Sequence, residues 1–268
     1  MSDIKSVNHP NKVTGRLRID PNGLDTTQFG VYSTGTVQEY ELGTRYRQDD
    51  RVFRYGRAGS ALDPKLGAFD YGTYFGENTV AAAVVGQNYV VITTNATSGS
   101  VTNGFGVKNN MVGGYFSQPD GTHKQWRRIT GHVAAPTGTT VKVYLDGPIT
   151  AALPAGGAFS EWCPNPYRDL RANGGIAGGI NKAVMGIPTV VIALGSYGWF
   201  QTWGPCWVAP DGILDFGAGG NQMAVFTVGG NITNHSNATN NQTAGFVFTA
   251  RTFGNWANPP FLYLTISP

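Results

Sequence analysis

An all-β fold is predicted by three features of the 268-residue chain. Short runs of β-branched and aromatic residues are spaced by Gly and Asn turns, helical periodicity is weak throughout, and glycine, at 38 residues, is about twice as frequent as in an ordinary domain. The first forty residues carry few large apolar side chains and much punctuation, as at His9-Pro10-Asn11 and Asp20-Pro21-Asn22-Gly23. They read as an extended N-terminal arm over 1–40, with strand-like pieces at 14–19 and 30–32. Two small sandwich- or barrel-like β units are expected to follow, over 41–160 and 161–268.

Residues 41–62 concentrate five arginines, Arg45, Arg47, Arg51, Arg54 and Arg57, with the aromatics Tyr46, Phe53 and Tyr55. The alternation suits a strand or hairpin that packs one face inward and turns guanidinium forks towards a partner. Asp49 and Asp50, set among them, are expected to neutralise part of that charge. From Thr79 to Thr150 strands are expected at 80–85, 89–94, 115–117, 126–133 and 140–145, with turns at 85–88, 118–121 and 136–138. Beyond a Pro/Asn loop at 163–167 and a Gly-rich link at 173–179, strands are expected at 185–193, 196–208, 222–228, 245–252 and 261–266. The 196–208 segment has aromatics on both faces and needs cover on both sides.

Charged residues make up 13% of the chain, against roughly 25% in an ordinary domain. A surface poor in Lys and Glu is a feature of permanent interfaces and hints at assembly. The 19 basic and 16 acidic residues give a formal net charge of +3, too even for wholesale nucleic-acid binding. Lys124, Arg127 and Arg128 could join the arginine cluster in space and meet phosphates, with Tyr46 and Tyr55 stacking on bases. The paired aspartates argue for a protein surface instead. Cys163 and Cys206 lack zinc spacing and read as buried free thiols. No signal-like N-terminus and no apolar run of membrane-spanning length is present, so neither export nor a membrane partner is expected.

Chemistry-bearing motifs are scarce. There is no nucleophile elbow, zinc-protease helix, P-loop or dinucleotide fingerprint, so no catalytic, metal or cofactor residues are assigned and no cofactor is expected. His9, His123, His132 and His235 stand apart in turn-like settings. Carboxylates for glycoside hydrolysis would come most readily from Glu39, Glu41, Glu77, Glu161 or the aspartate pair. Trp199, Trp203, Trp207 and Trp256 could form a sugar platform, but they suit core or interface anchors better. Five Asn-x-Ser/Thr triplets, at Asn95, Asn231, Asn234, Asn237 and Asn241, follow from Asn/Thr-rich composition, four of them within an expected exposed loop at 229–243.

Several short motifs occur in a particular order. They are Leu42-Gly43-Thr44-Arg45, Val52-Phe53-Arg54-Tyr55, Ala58-Gly59, Gly113-Gly114-Tyr115-Phe116, Trp126-Arg127-Arg128-Ile129, Pro164-Asn165-Pro166-Tyr167, Gly186-Ile187-Pro188 and the run from Tyr197 to Pro205. In that order, from about residue 40 to the end, the chain resembles a group of tailed-bacteriophage virion proteins, the capsid decoration or cement proteins. Trp203 and Cys206 stand where smaller or more polar residues are expected, and the Asn-rich loop is unusual. The resemblance implies a non-enzymatic, all-β structural protein, made in the host cytoplasm and bound to the capsid exterior of the virion. Its implied partners are the major capsid protein, whose neighbouring subunits it would bridge, and itself, as a trimer or dimer. Arg45, Arg47, Arg51, Arg54, Arg57, Tyr46 and Tyr55 are the candidate protein interface. A tail- or fibre-associated receptor-binding protein and a polysaccharide-degrading enzyme are the rival readings.

Overall fold

A computed structural model describes residues 30–72, 75–78, 81–95, 104–118, 124–156, 159–173, 182–211, 222–234, 242–249 and 260–268. The fold is all-β, with two curled sheets forming half-barrels. In chain order the strands of the described residues are β1 (Arg45–Gln48), β2 (Arg51–Arg57), β3 (Ala68–Asp70), β4 (Phe75–Asn78), β5 (Tyr89–Thr93) and β6 (Tyr115–Gln118). There follow β7 (Gln125–His132), β8 (Thr140–Leu145), β9 (Phe159–Cys163), β10 (Leu170–Arg171) and β11 (Val184–Pro188). The last are β12 (Tyr197–Trp207), β13 (Met223–Phe226), β14 (Ile232–Asn234), β15 (Thr243–Thr249) and β16 (Phe261–Thr265). Most of the expected arm, residues 1–29, lies outside the described residues, as do His9, His123, His235 and Trp256.

The chain forms two compact units, residues 72–166 and a second made of 1–71 together with 167–268. This division differs from the expected one at 41–160 and 161–268. β2 pairs with β12 through six residue pairs, from Arg57↔Tyr197 to Val52↔Trp203, so the arginine-rich segment belongs to the sheet of the C-terminal half. Neighbourhood along the chain gives no hint of a ladder between such distant segments.

The 72–166 unit is a six-stranded antiparallel sheet in the order β4-β9-β6-β7-β8-β5. Alternation fixes its inner face. Val90 and Ile92 on β5, Val141, Val143 and Leu145 on β8, and Phe116 on β6 are buried, while Lys142 and Tyr144 face out. Trp162 on β9 fills the centre against Phe105 and Phe116, in aromatic pairs with centroids 5.3 and 4.9 Å apart. Cys163, the next residue, consequently faces solvent and is exposed, not buried as expected. Cys206 is free and buried as read from sequence, and burial pushes its thiol up to about 12.

His132 closes this core. Its Nε2 accepts the Met111 N–H at 3.0 Å and its Nδ1 contacts the Val133 carbonyl at 2.8 Å, an acceptor, so Nδ1 carries the proton. Asn109, in the left-handed region at φ 59°, accepts the His132 N–H through Oδ1 and pins the 104–113 loop to β7. Burial pushes the imidazole pKa below its ordinary value.

Four short turns share one design and account for two of the misplaced strands. Leu62, Ala83, Leu153 and Ile192 are each buried, each followed by an exposed residue and a two-residue turn. They bridge in antiparallel pairs, Leu62 with Ile192 and Ala83 with Leu153. At Val84–Gln87 and Ala193–Ser196 the fourth residue's N–H returns to the first carbonyl, and Gly86 and Gly195 hold φ 92° and 79°, which is the type II pattern. The first turn replaces glycine with Asp63-Pro64-Lys65, where Asp63 Oδ1 accepts the Lys65 N–H, the chemistry of a type I turn. Residues 81–85 and 189–193, expected within strands, are therefore turn arms whose valines point outward. The expected exposed loop at 229–243 likewise contains β14, whose three residues are buried against the sheet after the Thr227–Gly230 turn.

Two consequences are measurable. Gly86 has open space around its Cβ position, so Gly86→Ala meets only the left-handed backbone penalty and should lower stability by about 1 kcal/mol, read as a reduced urea midpoint. Because His132 is held neutral in the fold, the unfolded chain binds the extra proton. Stability should be fully present above about pH 6.5 and fall as pH drops below it. Thermal melts across that range should show the loss in the native protein, and His132→Gln should lack that slope.

Candidate docking surface

The arginine-rich segment is a β hairpin, and its local chemistry is explicit in the sequence. Glu41–Thr44 forms a tight turn in which the Thr44 N–H reaches the Glu41 carbonyl at 3.0 Å and Gly43 takes φ 83°. The Leu-Gly-Thr-Arg motif thus launches β1. Gln48↔Arg51 closes the hairpin around Asp49 and Asp50, with Asp49 at φ 54°, a left-handed first position that matches strand twist. Arg47 Nε donates to the Asp49 carbonyl at 3.0 Å. The two aspartates are thus turn formers. Among the described residues neither carboxylate is ion-paired with an arginine, in place of the neutralising role expected.

Cross-strand register assigns the side chains to faces. Tyr46 lies opposite Phe53, and both join Tyr55 in a cluster with Val31, Tyr40 and Trp199. Tyr55 packs edge-on to Tyr40 and Trp199 and stacks on Tyr197. Each such aromatic pair contributes about 0.5–1.5 kcal/mol beyond its buried area. Tyr55 is 3% exposed, its hydroxyl accepts the Glu39 N–H at 3.2 Å, and burial pushes its pKa up to about 12. Tyr55 is thus a core residue that no partner can reach; Tyr46 is half-buried. The 30–40 end of the expected arm covers this cluster. Gly35 bridges Tyr197, and the Thr189 hydroxyl donates to the Val31 carbonyl.

The five arginines do not share a face. Arg45, Arg47 and Arg54 lie on the side away from the aromatics, and Arg51 and Arg57 lie with them at the two ends of β2. Arg54 is half-buried and points its Nη atoms at the Gly43 carbonyl and Ser267 Oγ, both at 3.3 Å. Arg51 donates to the Tyr32 hydroxyl at 2.9 Å and sits over the Phe53 ring. Arg57 reaches the Gly195 carbonyl at 3.4 Å. Arg45 and Arg47 are exposed on β1, which among the described residues pairs with β2 alone. Lys124, Arg127 and Arg128 belong to the separate 72–166 unit, where Arg127 is spent on the Pro148 carbonyl.

A second feature went unread in the sequence. Along β12 the even positions Phe200, Thr202 and Cys206 face the inner cores, and the odd positions from Trp199 face outward. Residues 31–46 cover Trp199. Past that cover Trp203, Pro205 and Trp207 are only half-buried. Register extends Pro205 into a row with Tyr263, Phe246 and Met223 across β12, β16, β15 and β13. Phe246 stacks on Tyr263 at 5.4 Å and 8°, and Trp203 meets Tyr263 edge-on while its Nε1 donates to the Tyr263 hydroxyl at 3.2 Å. Gly245 makes the row possible, since a Cβ there would strike the Tyr263 carbonyl. Alternation of Phe261, Tyr263 and Thr265 was the available signal.

Among the described residues no three His, Cys, Asp or Glu side chains converge as metal ligands, and no helix is long and apolar enough to cross a membrane. What the geometry defines is an all-β protein with a rigidly backed basic edge strand and an outward aromatic row. Comparison of the chain with protein-family models, curated proteins and solved structures finds no significant match.

Tyr55→Phe removes the acceptor of the Glu39 N–H without changing ring packing. It should cost about 1 kcal/mol and lower the thermal midpoint. An unchanged midpoint would show that this hydrogen bond does not tie the 30–40 segment to β2.

Proposed function

We propose that this chain is a non-enzymatic virion structural protein, a capsid decoration or cement protein that binds the outer shell of a tailed bacteriophage and bridges neighbouring major capsid subunits. The observation that carries the reading is the pair of exposed guanidinium groups, Arg45 and Arg47, on a hairpin edge backed by the Trp199 cluster. A rigid support lowers the ordering cost of docking, and guanidinium forks recognise carboxylates bidentately. The motif order of the sequence supports the same reading. Arg51, Arg54 and Arg57 are engaged within the chain and serve mainly to hold the hairpin, which narrows the interface to the β1 side. An acidic surface of the major capsid protein is the complementary partner, and self-association multiplies the contact.

Charge reversal at Arg45 and Arg47 together should abolish binding to purified capsids in a co-sedimentation assay while lowering the melting temperature only slightly, because both side chains are exposed and only the exposed Arg47–Asp49 hydrogen bond is lost. Retained binding would refute the arginine interface. Shell-wide copy number on the purified particle is expected; a few copies at one vertex would instead identify a tail or fibre protein.

A further inference from the structure

We infer that the aromatic row on the outer face of β12, β16, β15 and β13 is a self-association surface, closed by a second copy of this chain in a two-fold contact. The row presents Trp203, Pro205, Tyr263, Phe246 and Met223, with Phe246 and Met223 each 46% exposed. Contiguous apolar surface of this kind on a sheet marks a contact site. Its chemistry selects the occupant. Phe246 and Tyr263 stack on each other and Trp203 meets Tyr263 at a steep angle, so the rings lock one another into a fixed apolar surface. The Trp203 Nε1 donor is spent on the Tyr263 hydroxyl, so the row offers a glycan few polar atoms. An apolar protein face fits better than a saccharide.

Charge at the two ends of the β12 stretch that borders the row, Trp203 to Trp207, points to a second copy. The Asp49–Asp50 turn borders the Trp203 end, where the Asp50 carbonyl lies against Gly204, and both aspartates are exposed and free of ion pairs among the described residues. Arg51 beside them is held by Tyr32 and Phe53. Lys65 lies over the Trp207 ring at the other end. The row itself contains no ionisable acid or base other than the Tyr263 phenol, so two copies meet without like-charge repulsion. A two-fold axis through the row turns the Trp203 end of one copy onto the Trp207 end of the other and brings Lys65 of each towards Asp50 of its mate. The same surface therefore satisfies itself in both apolar and ionic terms. The inference gives a place to the self-association in the function proposed above and rests on that reading only for its biological setting. Sedimentation of the free protein reads it without any capsid, so the two can fail separately.

Sedimentation equilibrium of the full chain should show a dimer. Phe246→Glu should raise its dissociation constant by roughly tenfold or more, and Lys65→Glu and Asp50→Lys should each weaken it, with circular dichroism unchanged. Lys65→Glu combined with Asp50→Lys in one chain should restore association, which a fault in folding would not do. A monomeric wild type, a Phe246→Glu dimer of undiminished affinity, or single charge variants without effect or without rescue would each overturn the proposal. Loss of capsid binding by Phe246→Glu in a chain that never self-associates would also overturn it, and would assign the row to the shell.

Discussion

The ladder between β2 and β12 is the constraint on which the larger unit depends. It joins Arg57 to Tyr197 and Val52 to Trp203, and by doing so places Phe53 and Tyr55 beside Trp199 on one face and Gly56 against Phe200 on the other. Gly56 has no room for a side chain there, since a Cβ would lie within 3 Å of both Leu170 and Phe200. β2 is therefore buried on both faces, as its burial pattern shows, and its arginines survive only at positions where a backbone carbonyl or hydroxyl receives them. A charge on an otherwise apolar strand is tolerated when its long stem packs and its head finds an acceptor.

That logic separates arginines that build from arginines that display. Among the described residues one edge of β1 is unpaired, and an open edge tends to recruit further strands. Exposed guanidinium groups at Arg45 and Arg47 blunt that tendency and at the same time offer directional donors to a partner. The two uses are compatible, because a carboxylate-bearing surface can engage side chains that a stray strand cannot pass.

Much of the architecture was legible where burial alternates in step with the pleat. β5, β7 and β8 fall within a residue or so of where their apolar pattern puts them, because one face of each meets a single core and the other meets water. The hairpin at 45–57 was legible from its alternation of arginines and aromatics, although β2 is buried on both faces. The 81–85 and 189–193 segments were misread because a run of valines and alanines satisfies strand propensity, while Gly86 and Gly195 impose a turn that only backbone geometry discloses. The recurrence of that turn escaped notice because it spans too few residues and one copy swaps glycine for Asp63-Pro64. Which arginine faces which way could not be read at all, since it depends on a strand more than a hundred residues away. The aromatic row was missed for the same reason: Met223, Phe246, Tyr263 and Pro205 become neighbours only through register.

The nesting of one unit inside the other has a consequence for synthesis. Residues 72–166 carry all the strands of the six-stranded sheet, so that unit can complete itself while the ribosome is still adding the C-terminal third. The outer unit has no such freedom. Its first hairpin must wait for β12, and β12 for β16, the last of the described strands to be made. Ladders of such long sequence separation carry a large loop-closure cost and form slowly. An inserted unit that folds early shortens the effective loop that the late one must close, so the order of birth works in favour of the harder pairing.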